Sequence, residues 1–238
     1  MLFENYCDII NYISIIFGND ICFQEVTAMT EPAFYINNRG WFEKLFTFMY
    51  HPTVIGAENI PESGRIVIAG NHTHFWDCVM VGFGTQRCVH FLAKDDLMKP
   101  PLKYIFDKLG IIPVNRRAKD KHALSSAIEV LEDDKVIGIF PEGKVKTKEE
   151  CHNNVILPFK YGAVKMANAT GSKIVPFSIT GKYKLFRKKI QIEFFEPIEI
   201  TDDLTESNER LMGIVEKGIL SSEKFVYKKY HGDKIEKL

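Results

Sequence analysis

The stretch that decides the fold is RIVIAGNHTHFWDCVMVGFGTQRCVHFLAK, residues 65–94. It begins with a run of β-branched residues, which is typical of a strand. A polar cluster follows, then a segment of helical length around 76–84, and then a second strand-like run at 88–94. A strand, a helix and another strand in this order favour a parallel sheet with helices packed against it.

The same alternation continues along the chain. Further strand-like runs are IIPV (111–114), KVIGIF (135–140), KIVPFSIT (173–180) and KIQIEFF (189–195). Segments of helical length separate most of them, at 101–109, 119–132 and 159–170. A last helix is predicted from Leu204 onward, followed by a lysine-rich, solvated end. The sequence therefore predicts a single α/β domain with a mostly parallel central sheet flanked by helices.

The N-terminal part has a different pattern. Residues 1–17 place apolar side chains at helical spacing, and GWFEKLFTFMY (40–50) is a second, unusually aromatic helical segment. This second segment is either an interfacial helix, with its Trp and Tyr at lipid headgroup level, or a helix packed on its own domain. We therefore expect N-terminal amphipathic helices at 1–52 and an α/β domain at 53–238.

Composition and charge argue against several classes of function. The 238 residues include 31 basic and 31 acidic side chains, so net charge provides no overall attraction to nucleic acid, and we expect no such partner. Five scattered cysteines without a CxxC pair argue against a disulfide framework and favour a reducing cytosol. No signal peptide is evident, and no run approaches the roughly 18 apolar residues of a spanning helix.

Three polar clusters come directly after predicted strands. They are NHTHFWD (71–77), NRR (115–117) and PEGK (141–144). In open α/β sheets, ligands bind beyond the carboxyl ends of the strands. We therefore expect the three clusters to converge on one cleft.

The first cluster allows three interpretations. His72 and His74 could both bind zinc, as H-x-H pairs do in zinc hydrolases. Alternatively, Asp77 could bind one ring nitrogen of His72 and leave the other nitrogen able to accept a proton. No serine or cysteine nucleophile is obvious in the clusters, so that proton would come from a substrate hydroxyl. In the third interpretation, the polar side chains only cap a turn.

The other two clusters suit an anionic ligand. Arg116 and Arg117 are of the residue type that binds phosphate with two parallel hydrogen bonds. Gly143 allows the backbone to approach a ligand closely, beside the Glu142 carboxylate. A solvated basic turn, and a turn shaped only by Pro141 and Gly143, are the alternatives.

The order of these blocks resembles the glycerolipid acyltransferase family. Its N-H-x4-D block is matched by Asn71, His72 and Asp77, and its G-x-I-P-V-x-R block by GIIPVNR (110–116). The F-P-E-G-T-R block is matched through FPEG (140–143), and the fourth block, a hydrophobic strand with proline, by KIVPFSI around Pro176. The four blocks follow the family's order over about residues 50 to 180.

The resemblance implies the glycerolipid acyltransferase fold and an O-acyltransferase. Such an enzyme moves a fatty acyl group from acyl-CoA or acyl-carrier protein to the free hydroxyl of a lysophospholipid, with lysophosphatidate as the expected acceptor. It implies His72 as the base, held by Asp77, and Arg116 as the phosphate ligand. The residues implied to shape the glycerol-phosphate site are Glu142, Gly143 and Lys144. Those implied in supporting positions are Asn71, His74, Pro141 and Pro176.

The same resemblance implies no metal and no cofactor, since the acyl thioester is a co-substrate. It also favours the interfacial interpretation of residues 34–50, because the substrates live in or near a bilayer. We expect a cytoplasmic protein that associates peripherally with the inner face of the membrane. The basic stretch at 182–189 would face anionic headgroups or an acidic carrier protein, unless it is a solvated loop.

Two departures from the family pattern keep alternatives open. Lys144 and Val145 replace the family's Thr and Arg, which allows a different lysolipid or hydroxyl acceptor. His74 stands where the family often has Ser. From other classes, a zinc-dependent hydrolase using His72 and His74, or a non-catalytic lipid-binding protein, would fit parts of the pattern.

Overall fold

The computed structural model describes residues 33–94, 100, 102–114, 121–147, 150, 154–187, 189–223, 228–231 and 234–237. The α-helices are α1 (Ala33–Tyr50), α2 (Asp77–Gly82), α3 (Leu102–Lys108), α4 (Lys121–Glu132), α5 (Gly162–Thr170) and α6 (Leu204–Ser221). The strands are β1 (Thr53–Ile55), β2 (Ile66–Gly70), β3 (Val89–Lys94), β4 (Ile112–Val114), β5 (Val136–Ile139), β6 (Lys173–Gly181), β7 (Ile190–Phe194), β8 (Lys228–His231) and β9 (Lys234–Lys237). A short 3₁₀ turn spans Ala57–Asn59.

Seven strands form one sheet in the order β1-β7-β6-β2-β5-β3-β4. Strand β2 pairs in parallel with β5 on one side and with β6 on the other. The β5–β3, β3–β4 and β1–β7 pairs are also parallel, whereas β6 and β7 run antiparallel. The mostly parallel α/β sheet predicted from the sequence is confirmed.

Strand β2 lies at the centre of this sheet, and all five of its residues are buried. Val67 and Ala69 belong to a core shared with α4, α5 and α6. Ile66 and Ile68 point to the opposite core, which contains buried residues of α1 and α2. Alternate side chains of a strand point to opposite faces, so a continuous apolar run is what a strand covered on both faces requires. Each buried Ile or Val side chain contributes roughly 1.5–3 kcal/mol.

Helix α1 packs one face on the domain and exposes another. Phe46 and Tyr50 are 3% and 6% exposed within the second core, whereas Trp41 and Phe48 are 53% and 65% exposed. The helix begins at Ala33, seven residues before the aromatic segment singled out in the sequence. The predicted helix at 1–17 lies outside the described residues, and the division at residue 52 stays a prediction. No described helix is both long and apolar enough to cross a bilayer.

Two strand regions were missing from the sequence prediction. The three-residue β1 follows Pro52 and pairs with β7. Near the end of the chain, β8 and β9 form a separate antiparallel pair where only a solvated, lysine-rich end was expected. Runs of three or four residues, half of them lysine in β8 and β9, are too short or too polar to carry an alternating apolar signal.

Candidate active site

His72 and Glu142 follow two neighbouring parallel strands, β2 and β5. Because these strands end at the same edge of the sheet, their loops meet there. The His72 backbone N–H donates to Glu142 Oε1 at 2.8 Å. The structure thus brings together two of the three predicted clusters. The third, with Arg116, follows β4 but lies outside the described residues.

The centre of the site is the carboxylate of Asp77, which is fully buried at the first residue of α2. Its Oδ2 accepts from His72 Nδ1 at 2.9 Å and from the backbone N–H groups of Thr73 and His74 at 2.6 and 2.7 Å. Its Oδ1 accepts from Thr73 Oγ1 at 3.0 Å and from the Tyr183 hydroxyl at 2.6 Å. The five bonds compensate the burial of a charge and fold the 72–76 turn around it.

The His72 ring is fixed at one nitrogen and on one face. Nδ1 of the ring carries the proton, because it donates a hydrogen bond to the Asp77 carboxylate. In the neutral ring, Nε2 is therefore the basic atom. The ring stacks on Phe140, with centroids 4.1 Å apart and planes 15° apart. The side chain is 19% exposed, so it remains accessible from solvent. This arrangement can accept a proton from a bound hydroxyl.

Asn71 connects the end of β2 to β6. Its side chain donates from Nδ2 to the Ile179 carbonyl at 2.8 Å and accepts at Oδ1 from the Ile179 N–H at 2.7 Å. The β2–β6 register ends at Gly70 opposite Phe177, so the Asn71 amide continues the pairing in place of backbone. A Cβ at Gly70 would lie 2.2 Å from the Phe177 carbonyl oxygen, and this close approach requires glycine.

Glu142 joins two loops through both carboxylate oxygens. In addition to the bond from His72, its Oε2 accepts from the Leu157 N–H at 3.0 Å. The side chain is 4% exposed, and burial raises the pKa of the carboxyl group, although the two amide donors oppose that effect. In this arrangement Glu142 holds the backbone on which His72 is carried.

The rest of the PEGK cluster (141–144) forms a closed turn. Gly143 has φ +75° and donates to the Phe140 carbonyl at 2.9 Å. Pro141 is buried, and its carbonyl accepts from the Lys160 N–H at 3.0 Å. Lys144 Nζ lies 2.5 Å from Glu150 Oε1 and holds the pKa of that carboxyl at about 2.

Lys146 also has a local partner. It donates to the Val155 carbonyl. Both lysines of FPEGKVK are therefore engaged within this part of the chain, and the intervening Val145 is 40% exposed. The charge of Lys146 also opposes the effect of burial on the pKa of Glu142.

His74 and Pro176 are placed differently from His72. The His74 ring lies against Tyr183, with centroids 4.7 Å apart, and its Nδ1 accepts from the Trp76 N–H at 3.3 Å. Desolvation lowers the pKa of His74, with His72 adding to the effect and Asp77 opposing it. Pro176 lies within β6 opposite Ala69, one residue before the end of β2. In the part of the chain that the structure describes, no three His, Cys, Asp or Glu side chains converge as metal ligands.

The sequence reasoning missed Tyr183. It lies 106 residues after Asp77, in the stretch interpreted only by its basic charge. Burial raises the pKa of the Tyr183 phenol, and the Asp77 charge raises it further, so the hydroxyl is a neutral donor at physiological pH. The available signal was an aromatic residue three positions after the predicted strand 173–180, among lysines.

Comparison with known proteins gives a consistent result. Residues 51–180 match the protein family described as Acyltransferase. A 1-acyl-sn-glycerol-3-phosphate acyltransferase of Borreliella burgdorferi is 34% identical over 140 residues, which are 58% of this chain and 54% of that protein. One of Bacillus subtilis is 29% identical over 170 residues, 68% of this chain and 82% of that protein. The matched part thus spans about half of the first relative.

A solved structure resembles the fold as a whole. It is the crystal structure of the 1-acyl-sn-glycerophosphate (LPA) acyltransferase PlsC from Thermotoga maritima, with a TM-score of 0.62 and 25% identity. The match covers 76% of each chain. The matched family region contains β2 and β5, the strands that precede His72 and Glu142.

Proposed function

Because this chain belongs to the acyltransferase family, we propose that it transfers a fatty acyl group from an acyl thioester to the free hydroxyl of lysophosphatidate, which yields phosphatidate. The names of the relatives from Borreliella burgdorferi and Bacillus subtilis support this acceptor. The observation that carries the proposal is the His72–Asp77 pair at the carboxyl end of β2.

The proposed step is direct attack without an acyl-enzyme. Nε2 of His72 takes the proton from the acceptor hydroxyl while the hydroxyl oxygen bonds to the thioester carbonyl carbon. As the tetrahedral species collapses, the C–S bond breaks, and the thiolate leaves with the proton from the imidazolium. Asp77 stabilises that imidazolium and keeps the ring in the required tautomer. A positioned base of this kind contributes typically about 10²–10⁴-fold to the rate.

The acceptor phosphate is assigned to Arg116 in this proposal, with Glu142 and Gly143 shaping the site beside it. Lys144 and Lys146 both have local partners, so they add little support for a second phosphate contact. This favours testing another lysolipid acceptor alongside lysophosphatidate. The acyl donor is acyl-CoA or acyl-carrier protein, and no metal or cofactor takes part in the proposed step.

We also propose that the protein works on the inner face of the membrane without spanning it. Trp41 and Phe48 on α1 and Phe186 in the β6–β7 loop are 53%, 65% and 64% exposed. The Phe48 and Phe186 rings meet edge to face at 5.7 Å, and the Phe186 N–H donates to the Met49 carbonyl at 2.6 Å. Exposed basic residues of the same loop are Lys182, Lys184, Arg187 and Lys189. Aromatic rings flanked by cations suit an anionic bilayer surface.

The deciding experiment measures acyl transfer from acyl-CoA and from acyl-carrier protein to lysophosphatidate and to lysophosphatidylethanolamine, with and without a metal chelator. The proteins compared are the wild type, His72→Gln and His74→Ala. We expect His72→Gln to lose about 10³-fold in kcat because the base is gone, and His74→Ala to stay within about tenfold of the wild type. Chelator should have no effect.

Other outcomes would point to the alternatives. Chelator-sensitive hydrolysis that both histidine variants abolish would overturn the transferase and favour the zinc hydrolase. Lysophosphatidate binding without transfer from either thioester donor would favour a lipid-binding protein. Transfer to lysophosphatidylethanolamine but not to lysophosphatidate would keep the reaction and change the acceptor.

A further inference from the structure

We propose that Tyr183 is a positioning residue that holds the Asp77 carboxylate in the orientation His72 needs. The inference rests on the function proposed above. Of the contacts described for this carboxylate, four come from residues 72–74 in its own turn. The fifth, from the Tyr183 hydroxyl at 2.6 Å from Oδ1, comes from the loop after β6, 106 residues further along the chain. It therefore fixes the carboxylate to the rest of the fold.

The bond acts on the oxygen that His72 does not use. The His72 ring donates to Oδ2, and Tyr183 donates to Oδ1. Rotation of the carboxylate about its Cβ–Cγ bond would break the hydrogen bonds from His72 and from Tyr183. The bond from Tyr183 to Oδ1 therefore restricts this rotation. A hydrogen bond to a charged group is about twice as strong as one between neutral groups, which suits this task.

Tyr183 is itself held by helix α1. Its ring packs edgewise on Tyr50, with centroids 5.8 Å apart and planes at 86°, and on Phe46 at 6.4 Å and 75°. Its other neighbour is the His74 ring at 4.7 Å. A line of contacts therefore runs from α1 through Tyr183 and Asp77 to His72. Helix α1 thereby acts on the base through Tyr183 and Asp77.

The same bond affects the charge that faces the His72 ring. A neutral phenol donating to Oδ1 draws negative charge away from Oδ2, so removing it leaves more charge facing Nδ1. The other titratable groups around the ring are His74 in the same turn and Glu142, which accepts from the His72 backbone. Because both stay in place in Tyr183→Phe, a change at the His72 ring in that variant reports on the Tyr183–Asp77 bond.

The test is Tyr183→Phe, which keeps the ring packing and removes the hydroxyl. Its matched control is Tyr161→Phe, an exposed tyrosine at the start of α5 whose hydroxyl lies 3.5 Å from Thr205 Oγ1. We expect kcat of Tyr183→Phe to fall about tenfold with KM within about twofold. The acidic limb of its kcat/KM profile should move to higher pH, because the larger negative charge on Asp77 Oδ2 then stabilises the protonated base. The control should match the wild type in both.

A second measurement does not depend on activity. The NMR signal of the His72 Nδ1 proton, recorded in substrate-free protein, should move in Tyr183→Phe and stay at its wild-type position in Tyr161→Phe. An unchanged His72 signal together with wild-type kcat would overturn the inference. If the wild type transfers no acyl group to any acceptor while the His72 signal still moves, the proposed function fails and the positioning role of Tyr183 stands.

Discussion

The Glu142 carboxylate has two opposing effects on the molecule. Burial raises its pKa above the ordinary value of 4.5, which means that the ionised form costs stability in the folded protein. Yet both ionised oxygens bind backbone amides, of His72 and Leu157. The ionised carboxylate therefore lowers the stability of the fold while it maintains the geometry of the site.

We expect Glu142→Gln to separate the two effects. Gln is neutral at every pH, so it avoids the cost of a buried charge, but its NH₂ cannot accept from an amide. At pH 7 the variant should be as stable as the wild type or more stable, while kcat falls about 10–100-fold because the His72 backbone is displaced. Urea unfolding and acyl transfer at pH 7 measure the two quantities.

The pH dependence follows from the sign of the shift. An acid whose folded pKa is raised binds more protons in the folded than in the unfolded state, so stability falls as pH rises from 4.5 through the folded pKa. The stability advantage of Glu142→Gln should therefore be largest at pH 7 and shrink as the pH falls through the folded pKa towards 4.5, below which it should level off. Glu196→Gln, at an exposed position, should show no such trend. A Glu142→Gln protein that is destabilised equally at all pH values would contradict this account.

Individual residues of the site were partly predictable. His72 and Asp77 were found by spacing, because a four-residue interval before a helix brings the carboxylate back to the ring. Glu142 was identified, but which groups its oxygens would bind depends on Leu157, in a segment to which no role had been given. Tyr183 could not be assigned, since only tertiary structure brings it to Asp77. The roles of these residues in the reaction remain proposals.

Among the secondary-structure elements, β2 is the one whose end determines the site. Gly70→Ala should lower the free energy of unfolding by about 2 kcal/mol or more, because the new Cβ would lie 2.2 Å from the Phe177 carbonyl oxygen and force β6 away. The displacement would also break the Asn71–Ile179 bonds. Thermal or urea unfolding would measure the loss, and acyl transfer would measure the effect on the site.

Gly213→Ala is the control for that prediction. Gly213 is an exposed position within α6, and nothing lies within 4 Å of where its Cβ would be. Alanine there should be neutral or stabilising by up to about 1 kcal/mol, because glycine is a poor helix former. Equal stability of Gly70→Ala and the wild type would mean that β2 and β6 tolerate a wider separation than the structure shows.

Elements were predicted well where their patterns were long. The runs at 65–70, 135–140 and 173–180 each contain a strand within a residue of the predicted bounds. β1 has three residues, and its pairing with β7 reflects a partner distant in sequence. Such pairing leaves no local periodicity to detect.

At the scale of the whole molecule, the alternation of elements predicted a parallel sheet but not the order of its strands. The order depends on which strands pair, and β2 pairs with β5 and β6, which are distant in sequence. The antiparallel β6–β7 pair has a local cause. The connection from Gly181 to Ile190 is too short for the crossover that parallel strands need.

We expect the face that carries α1 and the β6–β7 loop to bind membranes, and the face that carries α6 not to. Replacing Phe48 and Phe186 together with serine should weaken binding to vesicles that contain phosphatidylglycerol by about tenfold or more, because two exposed rings no longer enter the interface. Binding should also weaken in high salt and with purely zwitterionic vesicles. Vesicle co-sedimentation measures each effect.

Leu220→Ser is the matched control. Leu220 is 55% exposed on α6, which packs on the other face of the sheet from α1. It should bind vesicles as the wild type does. Similar losses in Leu220→Ser and in the double variant would show that general surface hydrophobicity, and not the α1 and β6–β7 face, governs binding.

The Asn71 side chain has a consequence for protein design. A strand that ends beside a longer neighbour leaves that neighbour's amide and carbonyl without partners, and here one carboxamide binds both groups of Ile179. The main chain of residues 72–76 can then wrap around Asp77. An engineer who grafts a histidine and an aspartate onto the end of a parallel strand should therefore transplant the preceding asparagine with them. Its side chain supplies the hydrogen bonds that the neighbouring strand needs beyond the point where the first strand ends.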